Sequence, residues 1–100
     1  MGWRIKDNWE PVWWEPVLWA GSVWTFSASL HNLAPGVVTG AKLVMNGEVF
    51  PVSMDHTRLA VRLSVEDVAR MPHGCMAQLF LDTGQGSVLW LHGRVSRGGE

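Results

Sequence analysis

The chain has 100 residues, of which 47% are hydrophobic and only 17% are charged, and its formal net charge is −1. A chain of this length folds as one domain around one core, and its balanced charge without a basic block excludes nucleic acid as an expected partner. Its apolar runs are far shorter than the roughly 20 residues that cross a bilayer, so we expect no membrane insertion. No apolar core of about 7–15 residues follows Arg4, Lys6 and Asp7, so we expect no secretory signal. The lone Cys75 excludes an internal disulfide and fits a reducing cytosol.

A tandem repeat dominates the N-terminal quarter of the chain. Trp-Glu-Pro-Val occurs at 9–12 and again at 14–17, and six of the seven tryptophans fall within the first 24 residues. The prolines exclude a helix and require strands that lie at an edge or break at each proline. Because the repeat period of five is odd, Trp14 and Trp19 should point to opposite faces of an extended chain. One face can then enter the core while the other remains for a partner.

The rest of the chain predicts short strands separated by turns. Apolar and polar residues alternate in the most regular of them, and Pro51 should place its strand at an edge or end its pairing. Asn46-Gly47 predicts a type I′ hairpin turn, and 31–40 reads as a loop. The last two strands are apolar on both faces, so we expect them at the centre of a sheet or under another subunit. The predicted strands are 22–30, 41–45, 48–53, 58–63, 75–82 and 87–95.

A single short helix is predicted near residues 65–70. Ser64 supplies an N-cap, Glu66 and Asp67 follow in the first turn, and Pro72 closes the segment. With about seven short strands, the pattern predicts an all-β fold, a single antiparallel β-sandwich of the Ig-like or Greek-key type. The predicted organisation is an N-terminal arm (1–8), a sandwich domain (9–96) and a C-terminal tail (97–100). The Trp-rich segment (9–24) is the N-terminal edge of the sandwich domain.

The only string that looks catalytic is Asp82-Thr83-Gly84. It resembles the motif of retroviral-type aspartic proteases, but Gln85 stands where those enzymes carry Ala or Ser. Only 16 residues follow Gly84, too few for the rest of that fold. A hairpin turn is therefore the preferred interpretation.

Other candidate chemistry is equally weak. Asp55-His56 with Ser53 lacks a nucleophile elbow. Possible metal ligands lack the paired spacing of a closed zinc site; these are His31, His56, His73, His92 and Cys75. We therefore predict no catalytic residue, no metal and no cofactor, and a protein that is not an enzyme.

The tryptophans predict a protein interface. Core packing explains Trp24 and Trp90, but a domain of this size can hardly bury the remaining indoles, and Trp is enriched at interface hot spots. The predicted interface consists of Trp9, Pro11, Trp13, Trp14, Pro16 and Trp19. Stacking of Trp13, Trp14 or Trp19 on a sugar is the alternative, although the polar side chains expected around a sugar are missing.

A resemblance to known proteins starts at Thr39. It is carried by Ala41-Lys42-Leu43-Val44 before the turn, 59–63, Ser64 to Asp67 leading to Met71-Pro72-His73-Gly74, 79–82 and 89–95. These stretches resemble the small β-sandwich modules of accessory virion proteins of tailed phages, especially minor-tail and tail-fibre-associated modules of phages that infect actinobacteria.

The resemblance implies a non-enzymatic virion protein that is made in the host bacterial cytoplasm. Its partners would be other virion proteins, tail or capsid subunits, in an assembly of multiple copies. A minor tail protein that docks on its neighbours through the Trp-rich segment is the first expectation. A capsid decoration or head–tail joining protein and a carbohydrate-binding module are the alternatives.

Overall fold

The computed structural model of the protein describes residues 11–30, 38–55, 58–84 and 86–98. Within these ranges the chain forms strands and one short helix, and the predicted all-β class is confirmed. The elements are β1 (Val12–Trp14), β2 (Val17–Trp19), β3 (Trp24–Ser29), β4 (Val38–Met45), β5 (Glu48–Pro51), β6 (Ser53–Asp55), β7 (Arg58–Leu63), α1 (Val65–Ala69), β8 (Met76–Thr83), β9 (Gly86–Arg94) and β10 (Ser96–Gly98).

The largest sheet has five strands in the order β1-β9-β8-β4-β5. The pairs β9-β8, β8-β4 and β4-β5 are antiparallel, whereas β1 lies parallel to β9. Both β8 and β9 have a strand on each side, which confirms the prediction that the last two apolar strands are central. β5 is the edge strand opposite β1 and ends at Pro51, as the proline predicts.

A second sheet has three antiparallel strands in the order β3-β7-β6. The predicted single strand over 48–53 is in fact two strands, because the chain leaves the five-stranded sheet after Pro51 and enters this one at Ser53. The remaining sheet is the parallel pair β2-β10. Among the described strands, the antiparallel prediction therefore fails where the N-terminal segment meets the C-terminal strands.

One hydrophobic core joins the sheets. The predicted alternation along 58–63 is confirmed, since Leu59, Val61 and Leu63 are buried and the intervening residues are exposed. The core also takes residues from the five-stranded sheet, from β2 and from the segments around the helix, among them Leu18, Leu43, Met45, Leu79, Leu81 and Val95.

The helix begins where the sequence predicts and ends one residue earlier, at Ala69. The Ser64 hydroxyl accepts a hydrogen bond from the Asp67 N–H, and the Asp67 carboxylate accepts one from the Ser64 N–H, each at 3.1 Å. This capping box satisfies two N–H groups that the first turn leaves free. Val68 and Met71 are buried and attach the helix to the core, whereas Val65 is exposed.

The turns follow the predicted chemistry. Asn46 and Gly47 have φ values of 54° and 77°, as a type I′ turn requires. β4 already begins at Val38, so the predicted loop over 31–40 ends earlier than expected. Ser96–Gly98 forms β10, so Arg97 and Gly98, which were predicted to belong to the C-terminal tail 97–100, are part of a strand. The predicted arm, Trp9 and residues 31–37 of the loop lie outside the described residues.

Across the part of the chain that is described, no helix has the length and apolar character needed to cross a membrane.

Candidate functional site

The Trp-rich repeat forms a strand-like edge segment, residues 12–19, that runs parallel to the C-terminal strands. Val12 lies opposite Leu91 and Trp19 lies opposite Gly98, and the register between the two segments is the same throughout. The Ser96 N–H donates to the Pro16 carbonyl at 2.9 Å, and the Ala20 N–H donates to the Gly98 carbonyl at 3.1 Å. The two short strands β1 and β2 are therefore parts of one ladder that joins the start of the chain to its end.

Pro16 explains why this ladder is interrupted. The Pro16 carbonyl faces β10. In a parallel ladder, the backbone nitrogen and the carbonyl oxygen of one residue point to the same neighbouring strand. The nitrogen that would donate to the C-terminal strand carries no hydrogen in proline. β1 therefore ends at Trp14 and β2 begins at Val17, which confirms the prediction that the proline breaks an edge strand.

From Trp13 to Trp19 the side chains of the edge segment alternate between two faces. Pro16 and Leu18 are buried and Trp14 is half-buried, so these residues form the inward face. Trp13, Val17 and Trp19 are 59%, 42% and 57% exposed, and Glu15 is exposed beside them. These four residues are the outward face. The prediction that Trp14 and Trp19 point to opposite sides is confirmed.

Trp14 is an aromatic core residue rather than an exposed anchor. Its ring lies 4.9 Å from that of Phe26 and 6.1 Å from that of Trp24, both on β3 of the other sheet. Its indole N–H donates to the Ala77 carbonyl at 3.4 Å. Of the predicted interface residues, Trp14 and Pro16 therefore face inward, Pro11, Trp13 and Trp19 are exposed, and Trp9 lies outside the described residues.

Two glycines of the C-terminal strands allow the edge segment to lie close against these strands. Gly93 lies opposite Trp14, and a Cβ at position 93 would stand 1.7 Å from the Trp14 carbonyl oxygen. Gly98 lies opposite Trp19, and a Cβ there would stand 2.7 Å from the indole ring. The glycines recur at the period of the tryptophans. Sequence reasoning missed this pairing, although the shared spacing was a signal that could have revealed it.

The outward face borders the exposed side of the five-stranded sheet. Trp13 packs edge-to-face on His92, with ring centroids 5.3 Å apart. The strand register then continues this row of side chains through Gln78 and Val44 to Val49, which is 61% exposed. In the neighbouring row the Lys42 ammonium lies 5.6 Å from the centre of the Phe80 ring. This surface thus combines aromatic and aliphatic side chains with the polar side chains of His92, Gln78 and Lys42.

Arg97 holds the strand on which β2 rests. Its guanidinium donates to the carbonyl of Val68 and, at 3.0 Å, to that of Met71, just after the helix. Its backbone N–H donates to Nδ1 of His73 at 3.1 Å. These bonds tie β10 to the helix, so the Trp-rich edge is attached to a fixed strand and not to a free tail.

The residues that look catalytic serve the β8-β9 turn. The Asp82 carboxylate accepts a hydrogen bond from the Ser87 hydroxyl at 2.7 Å, and the Thr83 hydroxyl donates to the Gly86 carbonyl at 2.8 Å. Thr83 is also the strand partner of Gly86. The hairpin-turn interpretation of Asp82-Thr83-Gly84 is therefore confirmed.

The remaining candidate ligands and nucleophiles are scattered. Burial raises the pKa of the Cys75 thiol, which keeps it protonated at neutral pH. Among the described residues, no three His, Cys, Asp or Glu side chains are grouped to hold a metal ion. His31 and His56 lie outside those residues.

The chain matches no protein-family model, and comparisons with curated proteins and with solved structures likewise gave no match.

Proposed function

We propose that this chain is a non-enzymatic structural protein that docks on a neighbouring protein through the outward face of its Trp-rich edge segment. The observation that carries the proposal is the exposure of Trp13 on β1 and of Val17 and Trp19 on β2, all on the outward face of the edge segment. An indole buries about 150–250 Å² when it is covered, and tryptophan is enriched among interface hot spots.

The edge segment is anchored to the rest of the domain through its inward side chains and its backbone. Its inward residues Trp14 and Leu18 are packed in the core, and its backbone is bonded to β10. The backbone that carries the exposed indoles is therefore fixed before a partner arrives, which lowers the entropy that binding must offset.

We further propose that the neighbour is another virion protein of a tailed phage, in an assembly of multiple copies, with the chain serving as a minor tail protein. This setting is supported by the sequence resemblance over the last 60 or so residues and by the low surface charge. Detection of the chain in purified tails is the expected result. Its presence in isolated heads but not in tails would favour the alternative of a capsid decoration or head–tail joining protein.

For the fold, we propose a β-sandwich of the Ig-like type. The strand orders support it: β9-β8-β4-β5 corresponds to the G-F-C-C′ sheet of such domains, and β3-β7-β6 corresponds to B-E-D. The crossing of the chain from one sheet to the other between Pro51 and Ser53 corresponds to the connection from C′ to D. An experimental structure with any other strand pairing would rule this out.

The docking proposal is tested by removing the outward indoles. We expect Trp13→Ala and Trp19→Ala to reduce incorporation of the chain into its assembly without unfolding it, because both side chains are exposed. Val49→Ala, at the opposite edge of the sheet and equally exposed, is the matched control and should leave incorporation unchanged. Normal incorporation of the Trp13→Ala, Trp19→Ala double variant would refute the proposal.

A carbohydrate-binding module is the second candidate, and the exposed rings of Trp13 and Trp19 favour it. Binding on an array of bacterial cell-wall glycans that disappears in both variants would support this function. Because Trp14 faces the core, Trp14→Phe should not affect such binding.

A further inference from the structure

We infer that the edge segment pairs with the same segment of a second copy of this chain, antiparallel, around a two-fold axis at Pro16. This inference deepens the proposed function and rests on it, because it names a second copy of this chain as one neighbour in the assembly of multiple copies. It is carried by the direction of the backbone hydrogen-bonding groups and by the spacing of the residues around Pro16.

The first step concerns the free edge of the strand. The Pro16 carbonyl and the Ala20 N–H both bond to β10. Because successive residues of a strand direct their N–H and C=O groups to opposite edges, Glu15 and Val17 direct theirs away from β10. No described strand pairs with β1 or β2 on that side. Such a row of donors and acceptors is a template for another strand.

The second step concerns the prolines, which normally protect a free edge. Pro16 faces its own β10 with its missing N–H, so it removes no donor from the free edge. Pro11 and Gly21, where the chain turns with φ at 81°, bound the free edge at equal distances from Pro16. Between Pro11 and Gly21, no residue whose backbone faces the free edge is a proline. Each of these residues can therefore offer its N–H group to a partner.

The third step is self-complementarity. In an antiparallel pair centred on Pro16, Trp13 lies opposite Trp19 of the second copy, and Glu15 lies opposite Val17 of the second copy. Both are hydrogen-bonded pairs in that register. Since the Trp19 carbonyl already accepts from the Ser22 N–H at 3.1 Å, the central bonds are those between Glu15 and Val17.

The side chains fit the same register. Opposed residues of an antiparallel pair stand on the same face, so each Trp13 meets a Trp19, and aromatic pairs of this kind stabilise paired strands. Each Glu15 faces an apolar Val17 and not another carboxylate directly. The interface is isologous, and it pairs β1 of each copy with β2 of the other.

The test measures association and amide exchange of the full chain. Sedimentation equilibrium up to about 1 mM should show a monomer–dimer equilibrium. Hydrogen exchange by NMR should show the Val17 amide becoming protected as the dimer forms. Exchange at Val17 that is equally fast in dilute and concentrated samples, or a chain that stays monomeric, would overturn the inference.

Two matched variants test the register. Val17→Pro removes an outward donor from each copy and should weaken the dimer by roughly tenfold or more. Val49→Pro, on edge strand β5, is the control. Met45 and Glu48, next to the turn, form a hydrogen-bonded pair, so the following pair, Val44 and Val49, is not hydrogen-bonded. The Val49 N–H therefore also faces a free edge. Val49→Pro should leave the dimer intact, and equal weakening by both variants would contradict the register.

The outcome separates this inference from the docking proposal. A chain that is monomeric by both measurements but loses incorporation on Trp13→Ala docks on a different protein. If the chain dimerises as described but the Trp13→Ala, Trp19→Ala double variant is incorporated normally, the two-fold pairing stands and the docking proposal fails.

Discussion

Trp14 and Gly93 face each other across the parallel pair β1-β9, and the Trp14 carbonyl oxygen occupies the place where a side chain at position 93 would begin. A Cβ at Gly93 would lie 1.7 Å from this oxygen and 3.2 Å from the indole ring. The approach of the N-terminal segment to the C-terminal strand therefore requires glycine at position 93.

Gly93→Ala should displace β1 from β9 and lower the free energy of unfolding by about 3 kcal/mol or more, since overpacking at backbone cannot relax by a side-chain movement. Urea unfolding followed by tryptophan fluorescence measures the loss. Gly84→Ala is the control, because no atom beyond the chain neighbours lies within 4 Å of its Cβ position. Similar stability of the two variants would contradict the close contact.

The adjacent residues Trp13 and Trp14 should differ sharply in their effect on stability. Trp14→Ala removes the contacts with Trp24 and Phe26 and should cost about 3 kcal/mol. Trp13→Ala removes an exposed ring in contact with His92 and should cost less than about 1 kcal/mol. Chemical denaturation of both variants measures the difference. A larger loss of stability in Trp13→Ala than in Trp14→Ala would mean that Trp13, and not Trp14, faces the core.

The helix N-cap can be tested without changing the core. Ser64→Ala removes the hydroxyl that accepts from the Asp67 N–H and should lower stability by about 1 kcal/mol. Ser53→Ala, on the exposed side of β6, serves as the control and should have little effect. Thermal unfolding gives the melting temperatures of both variants. An unchanged melting temperature for Ser64→Ala would argue against the cap.

The same cap makes stability depend on pH. The Ser64 N–H, with the Ser64 hydroxyl and the Arg70 guanidinium, lowers the pKa of the Asp67 carboxyl, although desolvation opposes them. The stabilisation is therefore present above the ordinary aspartate pKa of about 3.9 and is lost as the pH falls through the lower pKa of the folded state. Thermal unfolding between about pH 5 and 2 should show a smaller loss of stability in Asp67→Asn than in the wild type. Equal losses would exclude this contribution.

Local chemistry in the sequence was sufficient to predict much of the fold. Ser64 and Asp67 specify the helix start, Asn46-Gly47 specifies the hairpin, and the alternation from Arg58 to Leu63 specifies a strand with one buried face. Each of these features depends on residues close together in the chain, where propensity and periodicity are informative.

What the sequence did not predict depends on long-range pairing. The parallel register of 12–19 with 91–98 follows from the fit of Trp14 and Trp19 to Gly93 and Gly98, residues at opposite ends of the chain. The same pairing turns part of the predicted tail into β10. The face of each indole was predictable from the odd repeat period, but the depth to which Trp14 enters the core depends on Trp24 and Phe26 in the other sheet.

The most direct test of the docking surface is oxidative footprinting of the tryptophans by mass spectrometry, in the dilute isolated chain and in the assembly. We expect Trp13 and Trp19 to be oxidised readily in the isolated chain and protected in the assembly, whereas Trp14 should react slowly in both and serve as the internal control. Equal oxidation of Trp13 and Trp19 in the two samples would contradict the assignment of the outward face as the docking surface.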